Sequence, residues 1–93
     1  MFKVNEYFDG NVTSLSFDND NKPASVGVMA AGNYVFNTDS KEKMTVISGS
    51  LIIKLKDADD SITYHAGDSF NVIANSSFDV SVPVTSAYLC EYG

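Results

Sequence analysis

Apolar and polar residues alternate along most of this chain with the period of two that puts successive side chains on opposite faces of a strand. Thr13, Leu15 and Phe17 alternate with Ser14, Ser16 and Asp18. Leu51, Ile53 and Leu55 alternate with Ile52, Lys54 and Lys56, which reads as a half-buried strand with a wet end. Phe78, Val80 and Val82 alternate with Asp79 and Ser81 until Pro83 breaks the run. Further strands are expected over Ala24–Ala31, Tyr34–Thr38, Met44–Ser48, Ser61–His65, Phe70 with Val72, and Thr85–Tyr92. Gly32-Asn33, Gly49-Ser50, Ala66-Gly67-Asp68 and Asn75-Ser76-Ser77 read as turns. Asp18–Pro23, Asp39–Lys43 and Asp57–Asp60 read as charged or polar loops or bends. No segment keeps a 3.6-residue period.

Eight or nine short strands at a spacing of roughly 8–12 residues predict an all-β sandwich or barrel. The best architecture is a single small cupin-type, double-sheet antiparallel β-barrel of jelly-roll character spanning residues 1–93. Closure of that barrel is expected to remove the sheet edges that so small an all-β chain would otherwise expose.

Charge narrows the partners. Twelve acidic residues against six lysines, with no arginine, give a formal charge of −6. Nucleic acid and anionic membrane surfaces favour a basic stripe, so neither is expected to bind. A small phosphate ligand would need a local pocket of donors to overcome the overall field. Cys90 is the only cysteine, which excludes an internal disulfide and a Cys-based zinc cluster. A reducing cytoplasm is the expected compartment. The opening Met1–Glu6 meets charge at once, so no leader is expected, and no apolar run reaches membrane length.

Three segments carry a resemblance that spans essentially the whole chain. The first is Asn5-Glu6-Tyr7-Phe8 with Gly10 and Val12. The second is Ala24-Ser25-Val26-Gly27-Val28-Met29, continuing through Gly32 and Tyr34 to Met44-Thr45-Val46-Ile47-Ser48-Gly49. The third combines Ala66-Gly67, Phe70-Asn71-Val72 and Tyr88-Leu89-Cys90 with Tyr92. Together they resemble the pyrimidine/purine nucleoside phosphorylase family of small cupins. The resemblance implies a compact cupin barrel, usually a homodimer. It also implies phosphorolysis of purine and pyrimidine nucleosides to free base and ribose 1-phosphate.

Many cupins hold a metal with two histidines and a glutamate on one limb and a third histidine on a later strand. Glu42 stands seven positions before Gly49, as that pattern asks. The upstream histidine positions fall near Thr38 and Ser40, and the later one aligns with Phe78, which cannot bind a metal. One carboxylate does not make a transition-metal site, which needs three or four convergent ligands. No metal and no cofactor are therefore expected. The sole histidine, His65, reads as a solvent-exposed hairpin residue.

Phosphorolysis asks little covalent chemistry of a protein, because phosphate is itself the nucleophile. The enzyme must set phosphate against C1′, exclude water, steady an oxocarbenium-like ribose and ease the departure of the base. The family alignment makes Glu42 the first catalytic candidate, although composition alone allows a surface glutamate in a charged stretch. Lys22 and Lys41 are candidate phosphate donors, or ordinary loop lysines. Ser25, Thr38 and Ser48 can offer inward hydroxyls, or simply be polar strand positions. Tyr34 and Phe36 share a face with Thr38, and Tyr88 shares one with Cys90 and Tyr92. A nucleobase can stack on such rings, which otherwise form an aromatic core. Phe78 is the expected apolar wall of the pocket, and Cys90 reads as a small buried hydrophobe.

Three functions follow: a nucleoside phosphorylase of broad base tolerance, a metal-free cupin that binds a small sugar or nucleotide without turnover, and a structural barrel whose role is its dimer face. Activity that survives a strong chelator would fit the first. Binding without product would favour the second, and an interior filled by side chains would favour the third.

Overall fold

The computed structural model describes residues 2–93 and folds them into ten strands with no helix among the described residues. In chain order these are β1 (Lys3–Tyr7), β2 (Val12–Asn19), β3 (Lys22–Met29), β4 (Gly32–Thr38), β5 (Glu42–Ser48), β6 (Ser50–Leu55), β7 (Ile62–His65), β8 (Ser69–Val72), β9 (Ser76–Val82) and β10 (Ser86–Tyr92). A six-stranded sheet runs β1-β2-β3-β10-β5-β8 and faces a four-stranded sheet, β4-β9-β6-β7. The strand pairings between neighbours in both sheets are antiparallel.

The core lies between the sheets. Leu51, Ile53, Phe78, Val80 and Val82 of the smaller sheet meet Val12, Met29, Met44, Val46, Phe70 and Val72 of the larger one. The alternation in β6 and β9 runs as the sequence suggests, with the apolar phase inward. In β2 it runs the other way. Ser14 is 4% exposed, whereas Leu15 is 40% exposed. Around Ser14 the inner face of this sheet is polar where it borders a cavity, and Leu15 lies on the outer face.

Several turns are shorter than composition implies. Asp18, Asn19, Lys22 and Pro23 lie in paired strands, and only Asp20 and Asn21 form the hairpin tip, with φ of 51° and 65°. Two left-handed residues match the twist of the flanking strands, and Asp and Asn tolerate that conformation. Gly32 and Asn33 belong to β4, so the preceding turn is at Ala30-Ala31. Glu42 and Lys43 likewise lie in β5 and not in a loop. The sheets also stay open: the barrel does not close, and β1, β8, β4 and β7 are edges. Three of these edges are only four or five residues long, which limits the template they offer to another chain.

The tip between β1 and β2 is the most strained loop. Phe8, Asp9 and Gly10 have φ of 53°, 58° and 84° in succession. Two overlapping turns hold them, with Gly10 N–H donating to Tyr7 O and Asn11 N–H to Phe8 O, both at 3.1 Å. A left-handed L-residue costs about 1–2 kcal/mol, and an aromatic has none of the local hydrogen bonding that lets Asn or Asp tolerate it.

Candidate active site

Between the sheets lies a cavity of about 340 Å³ with two unlike walls. From the six-stranded sheet come Ser14, Glu42, Met44, Tyr88, Cys90 and Tyr92; from the four-stranded sheet come Phe36 and Phe78. Tyr7 and Phe8 complete it from the β1–β2 tip.

Cross-strand register explains the polar wall. Ser14, Gly27 and Tyr88 are direct neighbours across β2, β3 and β10. The Tyr88 ring lies over Gly27 so closely that a Cβ there would sit 2.6 Å from its Cζ and hydroxyl oxygen. A glycine in the middle strand is what lets the ring lie flat along the sheet toward Ser14. One row on, Ser25 pairs with Cys90 and Cys90 with Met44; beyond it Tyr92 pairs with Glu42.

These side chains form a hydrogen-bonded string. The Cys90 thiol donates to Glu42 Oε1 at 3.5 Å, and the Ser25 and Tyr92 hydroxyls share a bond of 2.9 Å. Burial raises the Glu42 carboxyl above its ordinary value, the Cys90 thiol offsets part of that rise, and the charge of Asp39 adds to it. Burial also pushes Tyr88 up to about 12 and drives Cys90 and Tyr92 upward, Cys90 further by the nearby Glu42 charge. The hydroxyls and the thiol are therefore neutral hydrogen-bonding groups. Glu42 is the one acidic side chain in the lining.

The opposite wall is aromatic. Phe36 stacks on Phe78 at 5.7 Å, Phe78 meets Phe70 edge-on at 6.1 Å, and Phe8 reaches across to Phe36 at 5.6 Å. Such a wall accepts a flat ring with little demand on its substituents.

Of the residues singled out in the sequence, Glu42, Phe78 and Tyr88 line the cavity together. Ser25 is buried just behind it and reaches it through Tyr92. Thr38 is buried but committed to structure: its hydroxyl donates to Ile73 O at 2.7 Å and accepts from Ser76 N–H at 2.9 Å. Tyr34 faces inward, yet its hydroxyl donates to Ala30 O at 2.7 Å and the ring borders a separate groove. Ser48 does not point inward. The register shifts between Ala87 and Tyr88, so that Ser48 pairs with Ala87 while Val46 pairs with Tyr88, and the irregularity turns Ser48 to solvent. Lys22 is exposed at the β2–β3 tip and outside the cavity lining, and Lys41 is exposed on the bend before β5. His65 ends β7 exposed.

Tyr7, Phe8 and Ser14 were not singled out as site residues. Ser14 shares the inner phase with Val12, but the apolar alternation of β2 draws attention to the wrong face. Tyr7 and Phe8 precede Asp9-Gly10, an evident turn pair, and nothing local tells that the tip folds over a cavity. Among the described residues no group of three His, Cys, Asp or Glu side chains converges as a metal site, and Glu42 has a thiol and hydroxyls as its neighbours. No helix among them is long and apolar enough to cross a membrane.

Two facing antiparallel sheets around an internal, partly polar cavity make a cupin-like fold. An RmlC-like cupin from Shewanella frigidimarina has the same fold, with a TM-score of 0.77 at 17% identity over 98% of this chain and 82% of that one. The chain belongs to the pyrimidine/purine nucleoside phosphorylase family, whose profile matches residues 2–92. A protein named pyrimidine/purine nucleoside phosphorylase from Pseudomonas fluorescens is 56% identical over 92 residues, covering 99% of this chain and 98% of that one. A protein of the same name from Vibrio vulnificus is 52% identical, covering 99% of both chains. A solved structure of a Vibrio parahaemolyticus protein of unknown function superposes with a TM-score of 0.97 at 46% identity, over 100% of this chain and 99% of that one.

Proposed function

We propose that this protein is a pentosyltransferase, a nucleoside phosphorylase that accepts both purine and pyrimidine nucleosides. The observation that carries the reading is the pairing of one half-buried carboxylate and several hydroxyls on one wall with phenylalanines on the other, around a cavity of about 340 Å³. The sugar lies along the polar wall and the base against the aromatic one. A phosphate oxygen forms the new bond to C1′ as the C1′–N bond breaks. The electron pair of that C1′–N bond leaves with the base, which takes up the proton that the attacking hydrogen phosphate gives up. Glu42 accepts hydrogen bonds from ribose hydroxyls and stabilises positive charge developing at the ring. A carboxylate short of water gains most from a cation that appears beside it. Phenylalanine walls make no base-specific hydrogen bonds, which supports tolerance of both base classes.

The test is release of free base and ribose 1-phosphate from inosine, adenosine, guanosine and uridine in phosphate buffer. Failure with every nucleoside would sink the proposal. Metal independence is part of it: activity is expected to be unchanged after dialysis against EDTA, and loss restored by one particular metal would overturn that part. The site is proposed to work in the cytoplasm, where the single buried thiol of Cys90 stays reduced. A homodimer is proposed on the outer face of the larger sheet, where Val4, Leu15 and Val26 form an exposed row in register. Sedimentation at micromolar concentration checks it, and a monomer there would refute it.

A second reading has one observation in its favour. No lysine lines the cavity. Of the small sugar or nucleotide that a metal-free binding module would take, a neutral sugar needs none, whereas phosphate must be held by hydroxyls, amides and lysines at the rim. Calorimetry separates the two: heat of nucleoside binding with no product in phosphate favours the module.

A further inference from the structure

Phe8 sits where its residue type is least expected. It occupies the first of three consecutive left-handed positions at the β1–β2 tip, and it remains 42% exposed. Asparagine or glycine would serve the turn better. Partial burial of the ring gives only part of what a core phenylalanine gains.

The turn aims that ring across the gap between the sheets. Phe8 belongs to the larger sheet's hairpin but packs on the smaller sheet, 4.9 Å from Tyr34 and 5.6 Å from Phe36. It is a shared wall of two spaces. One is the cavity that holds Glu42. The other is an outer groove of about 530 Å³ bordered by Asn33, Lys54 and Asp79 among others. The tip is itself tied down, with Ala30 N–H donating to Asn11 O at 2.8 Å. The ring is thus held in place at the mouth, at an interplanar angle of 76° to Phe36 and 48° to Tyr34, so it stands across the stacked Phe36–Phe78 pair and is part-exposed.

We infer that Phe8 is the outer stacking platform for the nucleobase, a ring set across the mouth nearly at right angles to the Phe36–Phe78 wall, so that a base stacked on Phe8 turns its edge to that wall. The inference rests on the nucleoside reading of the site. It explains why an aromatic side chain is kept in a conformation that disfavours it: strained residues persist where position matters more than local preference.

Three variants test it in the intact protein. Phe8→Asn removes the ring with its contacts to Tyr34 and Phe36 but suits the left-handed backbone, so relief in the turn offsets part of the lost packing and the melting temperature should fall less than for Phe8→Leu. The KM for inosine should rise roughly tenfold, as expected for loss of one base–aromatic stack, with the KM for phosphate within about twofold. Phe8→Trp should restore the nucleoside KM, and Phe8→Leu should not. Equal inosine KM in wild type and Phe8→Asn would overturn the inference. So would a parallel rise in the phosphate KM, or a fall in stability that Phe8→Leu corrects along with activity. If the wild type turns over no nucleoside, the phosphorylase reading fails by itself. Calorimetry with inosine then decides the role of Phe8: about tenfold weaker binding by Phe8→Asn supports it, and equal binding refutes it.

Discussion

The inner faces of the two sheets look at each other across one cavity and bring different groups to it. The six-stranded sheet presents Ser14, Ser25, Glu42, Tyr88, Cys90 and Tyr92 inward and turns Val4, Leu15, Val26, Val28 and Ile47 outward. The four-stranded sheet keeps Leu51, Ile53, Phe78 and Val80 inside. A single core cannot afford many buried polar groups, yet the described residues contain no buried side-chain N or O without a partner. The polar wall is tolerable because its groups bond to one another. The lesson is a division of labour within the larger sheet: Val12, Met29, Met44, Val46, Phe70 and Val72 join the smaller sheet in the core, while Ser14, Glu42, Tyr88, Cys90 and Tyr92 present groups for chemistry.

That division is easiest to break at Glu42. Glu42→Gln keeps the shape and removes the charge, and kcat/KM for nucleosides is expected to fall on the order of 10²–10³-fold. Its effect on stability has a defined sign. Burial raises the Glu42 carboxyl in the folded state, so the native protein holds this proton more tightly than the unfolded chain. The stabilisation is complete below the ordinary carboxylate value and is lost as pH rises through the raised one. Glutamine has no such loss, so the melting temperature of Glu42→Gln relative to wild type should increase with pH across that window. A difference that shrinks with rising pH would contradict the assignment.

Gly27→Ala tests the wall without touching a polar group. The new Cβ would meet Tyr88 Cζ and its hydroxyl oxygen at 2.6 Å, so the ring must leave its place over β3. A loss of about 10–100-fold in kcat/KM is expected, with a stability cost of about 1–3 kcal/mol from overpacking. Tyr88 must then be seen displaced in a crystal structure of the variant; an unmoved ring would break the argument.

Phe78→Leu probes the other wall and should have the smallest effect on chemistry. It removes the stack with Phe36 and the edge contact with Phe70, each an aromatic pair of about 0.5–1.5 kcal/mol. Stability should drop by about 1–3 kcal/mol, while the nucleoside KM rises only a few-fold and the pH profile of kcat keeps its shape. A shifted pH profile would show that the two walls are not separable.

How much of this was legible follows the same division. In β6 and β9 apolar alternation means burial, and the sequence reads true. In β2 the apolar phase of Leu15 lies outside, because alternation reports two faces and not which of them is covered. Glu42 was legible through the general cupin pattern, which holds seven residues before Gly49, and Phe78 as the residue that replaces the later ligand; both line the cavity. Thr38 was legible as inward, but not that its hydroxyl is consumed by Ile73 and Ser76 thirty-five or more residues away. Ser48 was misplaced by a register shift that depends on β10, about forty positions downstream. Phe8 was hidden because the value of a turn residue depends on what its tip folds over.

The place of β10 has a consequence for how the molecule comes into being. It follows every other strand in the chain, yet it lies in the interior of the six-stranded sheet, bonded to β3 on one side and β5 on the other. Until residues through Tyr92 have left the ribosome, β3 and β5 have no common neighbour and the larger sheet stays in two pieces. Tyr88, Cys90 and Tyr92 arrive on that same strand. Joining of the two parts of the larger sheet and completion of the cavity therefore coincide in one event that waits on β10 and consists of slow, non-local strand pairing.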